Sequence, residues 1–365
     1  MQPRNRISFA AALIGASWLA WATTAAAETR SFVVDWLLDG FYHDDATCPK
    51  GLNPSATEFY RRDLLRAGHS KQAVEEAMKD FPGEGGAKQP WVPLVSVRGN
   101  GKDNVYEKPW TMPDPKLFLA EGRFAFGFNL DGKAEPGSFE EPGTHEKGID
   151  NGLFRAMGCN RSWRGPRPGI SEVHWDIARN QMPALLMTVE IPDGGKDGPA
   201  TVRFNRGLDI ASRDAQGNAQ ADITYQIDPN PRSHAELKGE VRNGVITVAA
   251  PEANLLLDAY VAPELRFQKA QARFVIDAKG RLTGTIGGYI PWQVIYASRA
   301  SYVEEYASST DMPGIYYALK KNADAGPDAK TGENMLISSA FNIEAVPAFA
   351  EPLPTRTADA ARSRR

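Results

Sequence analysis

LRFQKAQARFVIDAKGRLTGTIGGY, residues 265–289, is the stretch whose reading decides the fold. In RFVID and LTGTIGGY apolar and polar side chains alternate, the period of a strand packed on one face and wetted on the other. Between them Asp277-Ala278-Lys279-Gly280 has the composition of a turn, so the two runs read as a hairpin. Gly287-Gly288 at the end of the second run predicts a bulge or a close backbone approach.

Working outward, the same signal recurs upstream at Ala184 to Ile191, Ala200 to Phe204 and Ala221 to Ile227. Leu237 to Arg242 turns at Asn243-Gly244 into Val245 to Ala249, and Asn254 to Val261 leads into the opening stretch. Asn-Gly between two such runs is a strong hairpin signal. Phe124, Phe126 and Phe128 alternate as a further strand. Downstream, residues 335–346 return to strand with Leu336, Ile337, Phe341 and Ile343. Six or more strands at this spacing predict a mainly β (α+β) fold with an antiparallel β-sandwich or barrel-like core.

Helices frame that core. Ser55-Ala56-Thr57-Glu58 is a capping box, and Ser70 to Phe81 carries Ala73, Val74, Ala77, Met78 and Phe81 at helical spacing, stopped by Pro82-Gly83. Trp292 to Tyr306 reads as an amphipathic helix, and Asp311-Met312-Pro313 opens another. The expected organisation is residues 1–27 as signal peptide and 28–115 as a helical or irregular segment packed on the main domain. Residues 116–347 form the β-rich domain with its acidic loop at 129–151, and 348–365 a disordered tail. Residues 83–115 are rich in Gly and Pro, with one expected strand at Val92 to Val97.

The first 27 residues carry Arg4 and Arg6, an apolar run from Ile7 to Thr24, and Ala25-Ala26-Ala27 as a cleavage site before Glu28. No later segment reaches the ~20 apolar residues of a bilayer span. The expected location is therefore periplasmic or secreted, with no membrane span after cleavage. The net charge is -3, from 42 basic and 45 acidic residues, and lacks the basic stripe that nucleic acid requires. The two cysteines, Cys48 and Cys159, both fall in the exported part and are most simply a disulfide. Two free buried thiols are the alternative; a nucleophilic cysteine is disfavoured, because neither has a His or basic cluster beside it.

Familiar chemical signatures are missing from the sequence: G-x-S-x-G, a Walker loop, H-E-x-x-H, CxxC and a dinucleotide fingerprint. His43, His69, His145, His174 and His234 lie singly, which does not indicate a histidine-rich metal site. His43, Asp44 and Asp45 beside Cys48 read as a polar turn rather than ligands. The residues that stand out are acidic. Between Phe124 and Cys159, Asn129, Asp131, Glu135, Glu140, Asp150 and Asn151 supply oxygens of the kind Ca²⁺ takes, with glycines permitting tight backbone. An EF-hand register fails, because Gly127 and Ser138 would fall at ligand positions. An exposed acidic loop held by Asx-turns, or a catalytic carboxylate pair, are the other readings. The neighbouring glycines and lysine predict ionised, hydrated carboxylates with ordinary or lowered pKa values.

The run LDG…EKGIDNGLFRAMGC, with IGGY, PGIYYALKK and the terminal IEAVPAF, resembles a group of exported bacterial proteins sharing an acidic G-I-D-N loop and having no assigned activity. The resemblance implies an envelope or extracellular location and assigns no residue a role. Two function classes follow from the residues. One is a binding or structural protein with a possible calcium-stabilised loop, its ligand a glycan, peptide or envelope component. The other is a hydrolase acting on polysaccharide, with a carboxylate pair and aromatic walls from Trp110, Trp163, Trp175 or Trp292.

Overall fold

The computed structural model describes residues 27–66, 68–79, 98–105, 107–164, 169–259, 262–301 and 311–353. Eight strands follow one another around a closed antiparallel barrel: β1 (Ala27–Asp39), β2 (Leu185–Pro192), β3 (Gly198–Arg206), β4 (His234–Arg242), β5 (Val245–Ala259), β6 (Ala262–Ile276), β7 (Leu282–Pro291) and β8 (Asn334–Pro352). Each pairs with the next in sequence, and β8 closes the ring on β1 from Ser31↔Ala348 to Asp39↔Phe341. Closure leaves the ring itself without an unpaired edge.

The expected hairpins form. Val245 pairs with Arg242 across Asn243-Gly244, both at positive φ as a type I′ turn requires. Asp277 accepts from the amides of Lys279 and Arg281 to fold the next turn. Opposite Gly287 and Gly288 the β6–β7 register shifts between Gln268 and Gln271, so the bulge lies on β6. Gly288, at φ +158°, is where the backbones meet: a Cβ there would lie 2.8 Å from the Gln268 carbonyl oxygen.

Alternate side chains fill the barrel. Phe32, Met187, Phe204 and Ala235 are cross-strand partners at one level and all are buried. Along β4, Ala235, Leu237 and Val241 are buried while Glu236, Lys238 and Glu240 are exposed. An eight-stranded barrel is just wide enough for such filling. Outside, Val33, Leu186 and Val346 are covered by Ala211, Ala219 and Tyr225.

Several boundaries differ from expectation. β1 belongs to the barrel rather than to a separate segment 28–115, because two neighbouring strands take up its backbone groups. β8 runs on to Pro352, where Ala348 to Pro352 pair in parallel with Ile223 to Ile227, so the tail does not begin at 348. Phe124 to Phe128 is irregular chain with isolated bridges from Phe124 to Glu140 and from Phe128 to Asp150. The expected strand at Val92 to Val97 lies outside the described residues, as do the tail beyond 353 and the end of the helix expected to reach Tyr306.

The helices are α1 (Ala56–Arg66), α2 (Lys71–Lys79), α3 (Gly152–Met157), α4 (Gly169–Arg179), α5 (Trp292–Ser301) and α6 (Met312–Asn322). Ser55 and Glu58 make the capping box reciprocally, and Asp311 caps α6 through the Gly314 amide. Cys48 and Cys159 are joined, with Cα atoms 5.7 Å apart, tying the chain after β1 to the end of α3. Beside the bridge Asn53 accepts from the Phe118 amide and donates to Asn160. Among the described residues no helix is long and apolar enough to cross a membrane.

Candidate functional site

The barrel is filled at its waist and open at one mouth. Beyond β4 and β7 the β5–β6 hairpin continues alone, Leu255 pairing with Leu265, and stands as one wall. β1 supplies the opposite wall through a bulge. Its register shifts between Val34 and Trp36, which turns Leu37 and Asp39 to the mouth. Asp35 at the bulge, 1% exposed, accepts from Arg179 Nη1 at 2.7 Å and from the Ala219 amide. Its carbonyl accepts from the Trp175 indole at 2.7 Å. These bonds dock α4 across the barrel. Ser171, His174, Trp175 and Ala178, spaced i, i+3, i+4 and i+7, then face the opening from α4. Val294, Ile295, Ser298 and Arg299 face it from α5.

The resulting cavity has a volume of about 100 Å³. Leu37, Leu257, Ile290, Ile295, Trp175 and Phe341 make its apolar walls around a compact polar group. Arg299 donates to His174 Nδ1 at 2.7 Å and to both Asp39 oxygens at 3.3–3.4 Å, and its guanidinium lies 4.6 Å from the Trp163 ring centre. Ser171 Oγ accepts from the Asp39 amide at 2.9 Å. Arginine can only donate, so His174 Nδ1 is the acceptor and the ring proton sits on Nε2. Burial and then the Arg299 charge push His174 down to about 3, which keeps it neutral. Ser171, His174 and Asp39 thus share one cavity without forming a Ser-His-Asp relay, because Arg299 takes the imidazole nitrogen that the carboxylate would need.

The acidic loop builds a second, polar cavity of about 440 Å³. Of the six expected metal ligands, Asp131, Glu135, Asp150 and Asn151 border it, together with Asp324 from beyond α6; Asn129 and Glu140 do not. Most of their oxygens already have protein partners. Asn129 accepts from Gly132, and Asp131 from the Lys133 amide. The Lys133 amine lies between Asp131 and Glu135. Glu140 is gripped by Arg123 and His145, whose hydrogen bonds hold its carboxyl below the usual range. Asn151 is the N-cap of α3, accepting from the Phe154 amide and donating to the carbonyls of Gly40 and Phe126. Among the described residues no three His, Cys, Asp or Glu side chains are grouped as metal ligands would be.

The expectation of ordinary or lowered carboxylate pKa values fails at Asp150. Burial, opposed by the Leu130 amide and reinforced by the Asp131 charge, raises it to about 6. Asp324 is also raised, chiefly by burial, although Ser338 donates to it through both its amide and its hydroxyl. The glycines beside Asp150 signal hydration in sequence; in space it is half-buried, bridged through its backbone to Phe128, and its carboxylate accepts from the Leu130 and Asp131 amides.

His43 is held by the Trp163 carbonyl and Arg164, and Asp44 folds back on Thr47, so this stretch is a turn. Asn160-Arg161-Ser162 matches the pattern of an N-glycosylation sequon, but Asn160 is 3% exposed and its amide donates to the Met157 carbonyl, which leaves no room for a glycan. Trp163 is buried in the core, whereas Trp175 lines the mouth.

Comparison with protein-family profiles, with curated protein sequences and with solved structures gives no match to this chain.

Proposed function

We propose that the chain is an exported binding protein that holds an apolar end of its ligand in the mouth of the barrel. The observation behind this reading is the cavity itself: aliphatic and aromatic walls around a polar group whose charges already cancel. Arg299 is neutralised by Asp39, Glu264 on the β6 wall is paired with Arg232 and Arg266, and His174 is uncharged. Such a site favours an acyl chain or hydrocarbon ring bearing a neutral polar group over a free ion, since an ion entering it would be desolvated without a counter-charge. An envelope component with an acyl end matches this chemistry. The Cys48–Cys159 bridge supports an oxidising compartment. Titration with N-phenyl-1-naphthylamine tests the reading, with fatty alcohols of increasing length as competitors. The wild type should bind the probe and release it to the alcohols. Ala178→Phe, which adds a ring to the cavity wall, should lose binding while staying folded by circular dichroism, at a stability cost of about 1–3 kcal/mol for overpacking a residue 4% exposed. Probe binding that Ala178→Phe leaves unchanged would overturn the assignment.

One observation favours a second reading, hydrolysis of a polysaccharide. Asp150 is a raised carboxylic acid on a polar cavity that Asp131 and Asp324 also border, as a proton donor with a carboxylate partner requires. A panel of polysaccharides assayed with wild type and Asp150→Asn decides it, and the reading stands only if turnover appears and then vanishes in the variant.

A further inference from the structure

The face of α5 turned away from the mouth borders another cavity, about 590 Å³ in volume. Trp292 and Tyr296 line it from α5, Tyr316 from α6, and Trp110 from the short turn Pro109–Thr111. The geometry points to this aromatic groove as a binding site for a quaternary or methylated ammonium group. Three features carry the inference.

The first is the arrangement of the rings. Tyr316 is the hub: Trp110 lies 6.0 Å from it at 51°, Trp292 5.3 Å at 69° and Tyr296 5.5 Å at 78°. Rings set at these angles form no single flat platform; the mostly buried Trp292 and Tyr296 border the groove beside the exposed Trp110. A flat aromatic platform suits the face of a sugar ring, whereas angled walls suit a rounded group that touches several ring faces together.

The second is charge. Glu107 is the only charged side chain among the described residues lining the groove, and neither Lys nor Arg joins it. The negative faces of Trp and Tyr attract a cation within about 6 Å, and the carboxylate adds to that field. Methylated ammonium is poorly hydrated at its carbons, so it enters such walls at a lower desolvation cost than a bare ammonium.

The third is how Trp110 is held. It is 56% exposed, the most exposed of the large apolar side chains described. Its backbone is nevertheless fixed, because Tyr317 Oη donates to the Met112 carbonyl at 2.7 Å and reaches the Trp110 carbonyl at 3.4 Å. Trp292 is anchored by its indole N–H on the Asn334 carbonyl. A rigid turn thus presents a large apolar ring to solvent beside three others, which is the form of a preorganised wall.

Tryptophan fluorescence and calorimetry on the full chain test the site with three probes: choline, its uncharged carbon isostere 3,3-dimethylbutan-1-ol, and a neutral oligosaccharide. Choline should quench emission saturably and bind about tenfold more tightly than the isostere. Trp110→Ala should weaken choline about tenfold with an unchanged melting curve, since the side chain is largely exposed, and Glu107→Gln should weaken it a few fold. The inference is overturned if choline binds no better than the isostere, if the oligosaccharide binds and choline does not, or if Trp110→Ala binds choline as the wild type does. The mouth probe should bind Trp110→Ala normally, so failure here is distinguishable from failure of the mouth reading.

Discussion

Replacing Arg299 by Met tests the physical core of the mouth. Asp39 is 3% exposed, and among the described residues Arg299 is the only cation on its carboxylate. Methionine keeps much of the apolar stem but removes the charge, leaving a buried carboxylate uncompensated. Breaking a buried pair in this way costs about 3–5 kcal/mol. The Asp39 contacts, at 3.3 and 3.4 Å, are at the long end of hydrogen bonding, which places the expected loss near the bottom of that range, about 3 kcal/mol. Part of the loss is the stacking of the guanidinium on Trp163, about 1 kcal/mol. Urea unfolding with common m-values measures it. Adding Asp39→Asn to Arg299→Met removes the stranded charge and should recover about 2 kcal/mol. If the double variant is as unstable as Arg299→Met, the loss is one of packing, and charge compensation does not organise the mouth.

Reducing the Cys48–Cys159 bridge, which closes 111 residues, should lower stability by at most about 4–5 kcal/mol through loop-closure entropy; an unchanged melting temperature after reduction would contradict this. His43 and His174, pushed down to about 4 and about 3, favour the neutral form in the fold. Unfolded imidazoles take up protons near 6.5, so stability is full above that pH and falls as pH drops toward 4 and then 3. Equilibrium unfolding across that window checks it, and His174→Gln should flatten its lower part. Asp150 has the opposite sign: its raised pKa costs stability as pH rises through about 6. Asp150→Asn should therefore stabilise by about 1 kcal/mol at pH 8, after discounting for partial exposure, and by nothing below pH 4; destabilisation at pH 8 would contradict it. With the loop oxygens held by protein groups, EDTA should leave the melting curve unchanged. A fall that Ca²⁺ restores better than Mg²⁺ would establish the calcium site.

The β5–β7 region was legible because its information is local: alternation sets the faces, and Asn243-Gly244 and Asp277–Gly280 set the turns. Closure was not. β1 meets β8 about 300 residues further on, and nothing in Ala27–Asp39 announces such a partner; Asp35 in the run reads as a break although it makes the bulge. The acidic loop drew attention because its composition is concentrated in one stretch. The mouth is assembled from α3 and five strands, β1, β5, β6, β7 and β8, which give one or two unremarkable side chains each, and from α4 and α5, which give four each. α4 (Gly169–Arg179) was missed in the sequence, although Ser171, His174, Trp175 and Ala178 have helical spacing, and Arg299 looks like any solvated arginine on a helix. Asp324, the partner of Asp150 across the acidic cavity, has no local signal at all.

Both proposed sites depend on α5, and its sequence explains why it was hard to assign a role. A helix with one apolar stripe packs that stripe on a core, while one that is apolar all round is buried. Between Trp292 and Ser301 the residues Val294 and Ile295 turn to the mouth while Trp292 and Tyr296 turn to the aromatic groove, with Gln293, Ser298 and Arg299 interspersed. Neither face is a plain core face and neither is a plain solvent face. That pattern is what a short helix needs when it separates an aliphatic cavity from an aromatic one, and its adjacent residues Ile295 and Tyr296 divide between the two. A substitution at Ile295 is therefore expected to disturb the mouth directly and the groove only through the helix backbone, and one at Tyr296 the reverse.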